Sequence, residues 1–181
     1  MTADSVVFAI RLALERDIPA LSSLMETAIA ELLRPFLAPE QLRGSFEIMG
    51  IDTQLIADGT YFVAEQEGYI VGCGGWSRRA THFGGDHSAR RDARVLDLKT
   101  EPARIRAMYT NPAFARRGVG RALLVHCEQR ARLAGFIAAE LVATLAGELL
   151  YRANGYEEIE RFSEATSGGV GVPLVRMRKR L

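Results

Sequence analysis

Lysine is almost missing from this 181-residue chain: of 23 basic residues only Lys99 and Lys179 are lysine, and the other 21 are arginine. Cysteine is as scarce, with Cys73 and Cys127 alone. Two cysteines make neither a disulfide framework nor a metal-ligand spacing, and in their apolar surroundings they read as small buried hydrophobes in a reducing compartment. No stretch reaches the ~18 charge-free apolar residues of a membrane span. Residues 1–11 lack a basic region followed by an apolar core and a cleavage site, so a cytoplasmic protein is expected. An excess of one charge is missing too. With 23 Lys+Arg against 22 Asp+Glu the net charge is +1, which removes the simplest reason for a nucleic-acid or anionic-membrane partner.

What is present is ordinary globular material, 48% hydrophobic and 25% charged. At roughly 100–200 residues per domain the length predicts a single domain over residues 1–181. The arginine excess reads mostly as surface composition, yet arginine grips phosphate and carboxylate in planar, bidentate geometry, so its clusters matter.

Val6–Leu12 is rich in aliphatic and β-branched residues and predicts a strand. Asp17 offers an N-cap with Pro19 in the first turn, and apolar residues at helical spacing carry a helix to Leu33, ended by Pro35 and Pro39. A weaker helical region runs from Glu40 to about Ala57, broken near Gly50. Thr60–Glu65 and Tyr69–Ser77 predict a hairpin around Gln66–Gly68. Residues 78–102 are polar and aperiodic, and predict a long loop or insertion with little structure of its own. Ala103–Thr110 predicts a strand in which Ile105, Ala107 and Tyr109 alternate with Arg104, Arg106 and Met108. A helix to Ala134 stopped by Gly135, a strand Ile137–Thr144, a short helix Gly147–Asn154, and strands Tyr156–Phe162 and Val172–Arg178 complete the chain. Short hairpin connections imply a mixed, largely antiparallel sheet in one α/β domain, unlike the strict alternation of a dinucleotide-binding fold.

The most informative segment is Met108–Leu124, MYTNPAFARRGVGRALL. A strand ends at Thr110, Asn111-Pro112 turn the chain, and Arg116-Arg117-Gly118-Val119-Gly120 lead into a helix. The two glycines permit unusual φ and close approach of a ligand to the backbone. Free N–H groups of the helix's first turn, with the helix dipole, form an anion site to which Arg116, Arg117 and Arg121 add charge. It is neither a P-loop nor a Rossmann fingerprint, since Gly-Lys-Ser/Thr and the third glycine are missing. On spacing alone, a glycine-rich turn with solvent-facing arginines is an equal reading.

In its context the segment closely resembles motif A of the GNAT superfamily of acyl-CoA-dependent N-acetyltransferases, in which Arg/Gln-x-x-Gly-x-Gly/Ala precedes a Leu-rich helix. Here the pattern covers Ala115–Gly120, with Ala115 where the family has Arg or Gln. Glu148-Leu149-Leu150-Tyr151-Arg152-Ala153-Asn154-Gly155-Tyr156 resembles motif B, Tyr-x-x-x-Gly-Phe/Tyr. The strand order over residues 6–178 agrees as well. The resemblance implies a GNAT fold, a sheet flanked by about four helices whose fourth and fifth strands splay apart. It implies an acetyltransferase that moves acetyl from acetyl-CoA directly to an amine, without a metal. The pantetheine arm would bond backbone groups of Met108 and Thr110. A backbone N–H near Tyr109 would polarise the thioester carbonyl, and the diphosphate would lie on Arg116, Arg117, Gly118, Val119, Gly120 and Arg121. Tyr151 would donate a proton or a hydrogen bond to the departing thiolate.

A primary amine near pKa 10.4 is only about one part in 2,500 neutral at pH 7, so something should take its proton. The predicted fourth strand contains no carboxylate. Glu101, Glu65, His82, Asp86, His87 or a water chain are the candidates. His82-x-x-x-Asp86-His87 lacks the third clustered ligand of a metal site. Trp76 and Phe36 are expected to border an acceptor pocket. A small-molecule amine is the expected acceptor, and dimers are frequent in the family. The competing readings are a catalytically silent acyl-CoA sensor of the same fold, a different acyl donor, or a protein amine as acceptor.

Overall fold

The computed structural model describes residues 7–88 and 91–181. Seven strands form one sheet in the order β1-β2-β3-β4-β5-β7-β6. They are β1 Ala9–Leu12, β2 Tyr61–Gln66, β3 Tyr69–Ser77, β4 Ala103–Thr110, β5 Ala138–Thr144, β6 Glu157–Ala165 and β7 Gly171–Arg180. Every neighbouring pair is antiparallel except β4 and β5. The first strand was expected from Val6, which lies outside the described residues.

Five α-helices are present among the described residues: α1 Ile18–Leu32, α2 Pro39–Ile48, α3 Thr53–Ala57, α4 Val119–Leu133 and α5 Glu148–Ala153. The count exceeds the expected four because the region after Pro39 splits in two. Asp52 accepts from the Gln54 N–H at 3.1 Å and caps α3. Pro39 opens α2 rather than ending α1, since its fixed φ and missing N–H suit a helix's first position. Asp17 does not cap α1. Its carboxylate turns back to the Leu14 N–H at 2.8 Å and to Arg11 at 2.7 Å.

Alternation on β2 separates two cores. Tyr61 and Val63 pack with Leu21, Leu24, Met25 and Leu55 of α1 and α3, whereas Phe62 and Ala64 share a cluster with Val119, Leu123 and Cys127 of α4. Gly72 on β3 explains how closely α4 can lie: a Cβ there would stand 2.6 Å from the Val119 side chain. Both cysteines are fully buried, and desolvation pushes the Cys73 thiol up to about 12. His126 precedes Cys127 but stands edge-on against Phe62, with ring centroids 4.5 Å apart. No described helix is long and apolar enough to cross a membrane.

The predicted alternation along β4 breaks at Ala107. The register with β3 shifts between Cys73↔Tyr109 and Gly75↔Arg106, and Ala107 has φ +51°. This is a bulge, with one extra residue on β4. Ile105 therefore packs in the α4 core, while Ala107 and Tyr109 turn to the α1 core. Arg104 and Arg106 are buried.

The described residues of 78–102 contain no helix, and several of them are pinned to the rest of the fold. Arg79 bridges to Val95 along the backbone and holds Asp58 at 2.6 Å. Thr81 is tied to Asp92 through backbone and hydroxyl, and Leu96 is 4% exposed in the core.

Candidate active site at the β4–β5 fork

Strands β4 and β5 pair only at Ala103↔Ala139 and Arg104↔Glu140. Beyond that point they part, as the family resemblance implies, and the edges that face each other have no partner strand among the described residues. The bulge at Ala107 bends β4 away at this place. Tyr61 braces it, its hydroxyl donating to the Ala107 carbonyl at 2.9 Å.

A cavity of about 120 Å³ opens in the fork. Its lining includes Met108, Tyr109, Thr144, Gly147 and Tyr151. It also includes residues 48–50 at the end of α2, 82–84 of the long loop, Arg106, Val142 and Leu174. Tyr151 is 7% exposed, its ring edge-on to Tyr156, and desolvation raises its hydroxyl pKa above the phenol value. Tyr109 is raised for the same reason.

On the α4 side, Thr110 leads from the fork toward the glycine turn: a Cβ on Gly120 would lie 3.4 Å from the Thr110 hydroxyl. Gly118 has φ +87°, the left-handed conformation that glycine adopts without penalty. The α4 ladder begins with the Ala122 N–H donating to the Gly118 carbonyl at 2.9 Å, leaving the N–H groups of Val119, Gly120 and Arg121 ahead of it. Arg116, Arg117 and Arg121 are exposed around this turn, Arg117 over the Phe114 ring at 5.6 Å. Free N–H groups and three exposed arginines thus surround the Gly118 turn.

The base candidates separate. Glu101 is chelated by Arg94 at 2.8 Å and accepts from the Asp97 N–H, which hold its pKa down to about 2. Glu65 is paired with Arg11 at the sheet edge. Asp86 takes Arg91 and the Thr53 N–H, and His87 contacts the Glu47 carbonyl at 2.8 Å. Of the five only His82 lines the cavity. Its Nδ1 lies 3.3 Å from Glu140, and its pKa is lowered from 6.5, first by desolvation and then by the Arg104 charge, with Glu140 opposing. His82, Asp86 and His87 do not converge, and no group of three or more metal-ligating side chains occurs among the described residues.

Two expected pocket residues lie elsewhere. Trp76 is buried against Phe136 in the α4 core, at 6.1 Å between rings. Phe36 is exposed in the turn after α1, and the end of α2 takes the place expected for it. Conversely, Arg106 lines the cavity and pairs with the buried Asp52, and Glu140 faces both His82 and Arg104; these four were not singled out as site residues from the sequence. Their signal was a charged residue inside an otherwise apolar strand, as in Ala103-Arg104-Ile105-Arg106 and Ala139-Glu140-Leu141.

The family profile described as acetyltransferase (GNAT) domain matches residues 57–158, more than half of the chain. The chain belongs to this family of acetyltransferases. Among solved structures it is similar to a GCN5-related N-acetyltransferase from Rhodopseudomonas palustris, at 18% identity and TM-score 0.73 over 100% of both chains. It is also similar to the ribosomal-protein-alanine N-acetyltransferase of Brucella melitensis, at 22% identity, TM-score 0.64, and 96% and 99% of the two chains. The third is yncA of Salmonella typhimurium, solved with its cofactor acetyl-CoA, at 19% identity, TM-score 0.62, and 97% and 94% coverage. These likenesses establish the fold. No curated protein matches the sequence.

Proposed function

We propose that the protein is an acetyl-CoA-dependent N-acetyltransferase acting on the primary amine of a small molecule. The observation that carries this reading is the cavity in the β4–β5 fork. Tyr151 and His82 both line it, and Thr110, which follows the lining residue Tyr109, lies against Gly120 in the first turn of α4.

Acetyl-CoA fits the residues present: unpaired strand edges suit a pantetheine arm, and the Gly118 turn suits a diphosphate. It supplies an acetyl group activated as a thioester; a C–N bond forms as the C–S bond breaks. The backbone of Met108 and Thr110 binds the arm, and an N–H beside Tyr109 stabilises negative charge on the carbonyl oxygen. Arg116, Arg117, Val119, Gly120 and Arg121 surround the diphosphate with Gly118. His82, held neutral at pH 7 by its surroundings, accepts the amine's proton, and Glu140 at 3.3 Å stabilises the imidazolium that results. The Tyr151 hydroxyl donates to the departing sulfur.

Calorimetry with acetyl-CoA, followed by thiol release over a panel of amines, tests the reading. Binding and turnover are expected. Absence of binding refutes it, and binding without turnover on any amine makes the protein an acyl-CoA sensor.

A further inference from the structure

A buried guanidinium N–H has to find an acceptor, because water has been taken from it. On β4 this requirement is left open. Arg104 and Arg106 are 6% and 5% exposed. Arg106 is gripped at one end only: Nη1 donates to Asp52 and Nη2 to the Gly84 carbonyl at 2.7 Å. Its Nε, in a side chain that lines the cavity, has no acceptor among the described residues. Nε and Nη1 of Arg104, Nε of Arg176 and Nδ1 of His82 are in the same state. Arg104 Nη1 is 3.2 Å from Glu140 Oε1 but out of hydrogen-bond alignment.

The carboxylates nearby are already divided. Asp52 serves both Arg106 and Arg91, Glu140 faces both His82 and Arg104, and Arg176 is paired with Glu160 at 2.9 Å. What the chain leaves unsatisfied is therefore a set of guanidinium N–H donors. A planar carboxylate matches such donors in shape and supplies the acceptors they lack. An anion there also offsets the positive charge that His82 gains when it takes a proton. The remaining walls, Phe83, Val142 and Leu174, are apolar, and about 120 Å³ admits only a modest side chain.

We propose that the acceptor is an amino acid with a small or medium apolar side chain, its carboxylate received by Arg106 and its amine beside His82. The proposal rests on the transferase reading of the same cavity, and its test separates the two.

The probes are paired: glycine, alanine, valine and leucine against their carboxamides as acceptors, and the N-acetyl acids against the N-acetyl amides as product-like ligands. Calorimetry of the CoA-bound enzyme should show at least one N-acetyl acid binding tenfold or more tighter than its amide. Thiol release should show the same preference in kcat/KM. The amide's amine is the less basic of each pair, so amine availability favours the amide and cannot produce this result. Arg106→Lys keeps a charge beside Asp52 but removes Nε, and should reduce the acid preference to threefold or less. Should that variant fail to fold, the comparison of ligands on the native enzyme still decides.

Equal binding of acids and amides, or no binding of any acid, overturns the carboxylate site. Turnover of amides as fast as acids overturns it too, while leaving the transferase reading intact. Preferential binding of the N-acetyl acids without turnover of any amine supports the carboxylate site and refutes the transferase.

Discussion

Replacing Tyr151 by Phe removes one oxygen from a 7% exposed residue that lines the cavity. The ring stays, and with it the edge-on contact to Tyr156 at 5.9 Å. The cost to the fold is therefore that of one hydroxyl, about 1 kcal/mol or less. The cost to the reaction is larger. Burial raises the Tyr151 pKa above 10.0, the neighbouring Cys127 adding to it, so the hydroxyl stays protonated throughout the working pH range. Full proton transfer to a thiolate near 8.5 is then uphill by more than ~1.5 units, or more than about 2 kcal/mol. In the proposed mechanism Tyr151 is thus a fixed hydrogen-bond donor to a sulfur that gains charge as the C–S bond breaks. Loss of one preorganised donor costs about 10²–10³ in kcat, roughly 2.7–4 kcal/mol. Tyr151→Phe should lower kcat at least tenfold, toward that range, with the KM for acetyl-CoA changed less than twofold. Steady-state thiol release measures both constants, and a thermal melt of the same preparation reports the fold. A kcat within threefold of the native value, with the fold intact, removes Tyr151 from the mechanism.

Three further outcomes follow from the same geometry. Because the His82 pKa lies below 6.5, the base proposed here is neutral at pH 7, and kcat/KM should fall only as pH drops through that lower value. His82→Gln should cost about 10²-fold or more in kcat/KM and abolish this acidic limb; a variant that keeps the limb excludes His82 as the base. Gly118→Ala meets no atom within 4 Å but must hold φ +87°, which costs roughly 1–2 kcal/mol. It should lower Tm by a few degrees and weaken CoA in calorimetry, and an unchanged Tm contradicts the backbone argument. Asp52→Ala leaves the Arg106 guanidinium, whose side chain is 3% exposed, without its counter-ion. Denaturant unfolding should show a loss of about 3–5 kcal/mol, and a loss under 1 kcal/mol would mean that Arg91 and Arg106 rearrange around the gap.

Local signals in the sequence determined a large part of this protein. Apolar residues at helical spacing located α1 and α4, β-rich runs located β2–β3, β4, β5 and β7, and the Gly118 and Gly135 positions marked where α4 begins and ends. Each of these signals acts within a few residues, through φ preference, capping or side-chain period, and needs no partner to be read. The glycine turn and Tyr151 belong to this class, because the proposed anion site and the tyrosine helix are each built from one continuous segment.

Tertiary structure alone decided the rest. Whether Ile105 and Ala107 share a face depends on a bulge opposite Gly74, which is a property of the β3–β4 pairing and not of β4 alone. Trp76 and Phe36 carry no label for core or pocket; Phe136 claimed the first, and the path of α2 left the second in solvent. His82 and Glu140 meet only because the long loop folds across the sheet to the start of β5. The same folding strips water from Arg104 and Arg106, turning residues that read as surface composition into charged donors whose acceptors the chain does not fully supply. Burial is a long-range property. It converted part of an arginine excess visible in composition into buried N–H donors without acceptors.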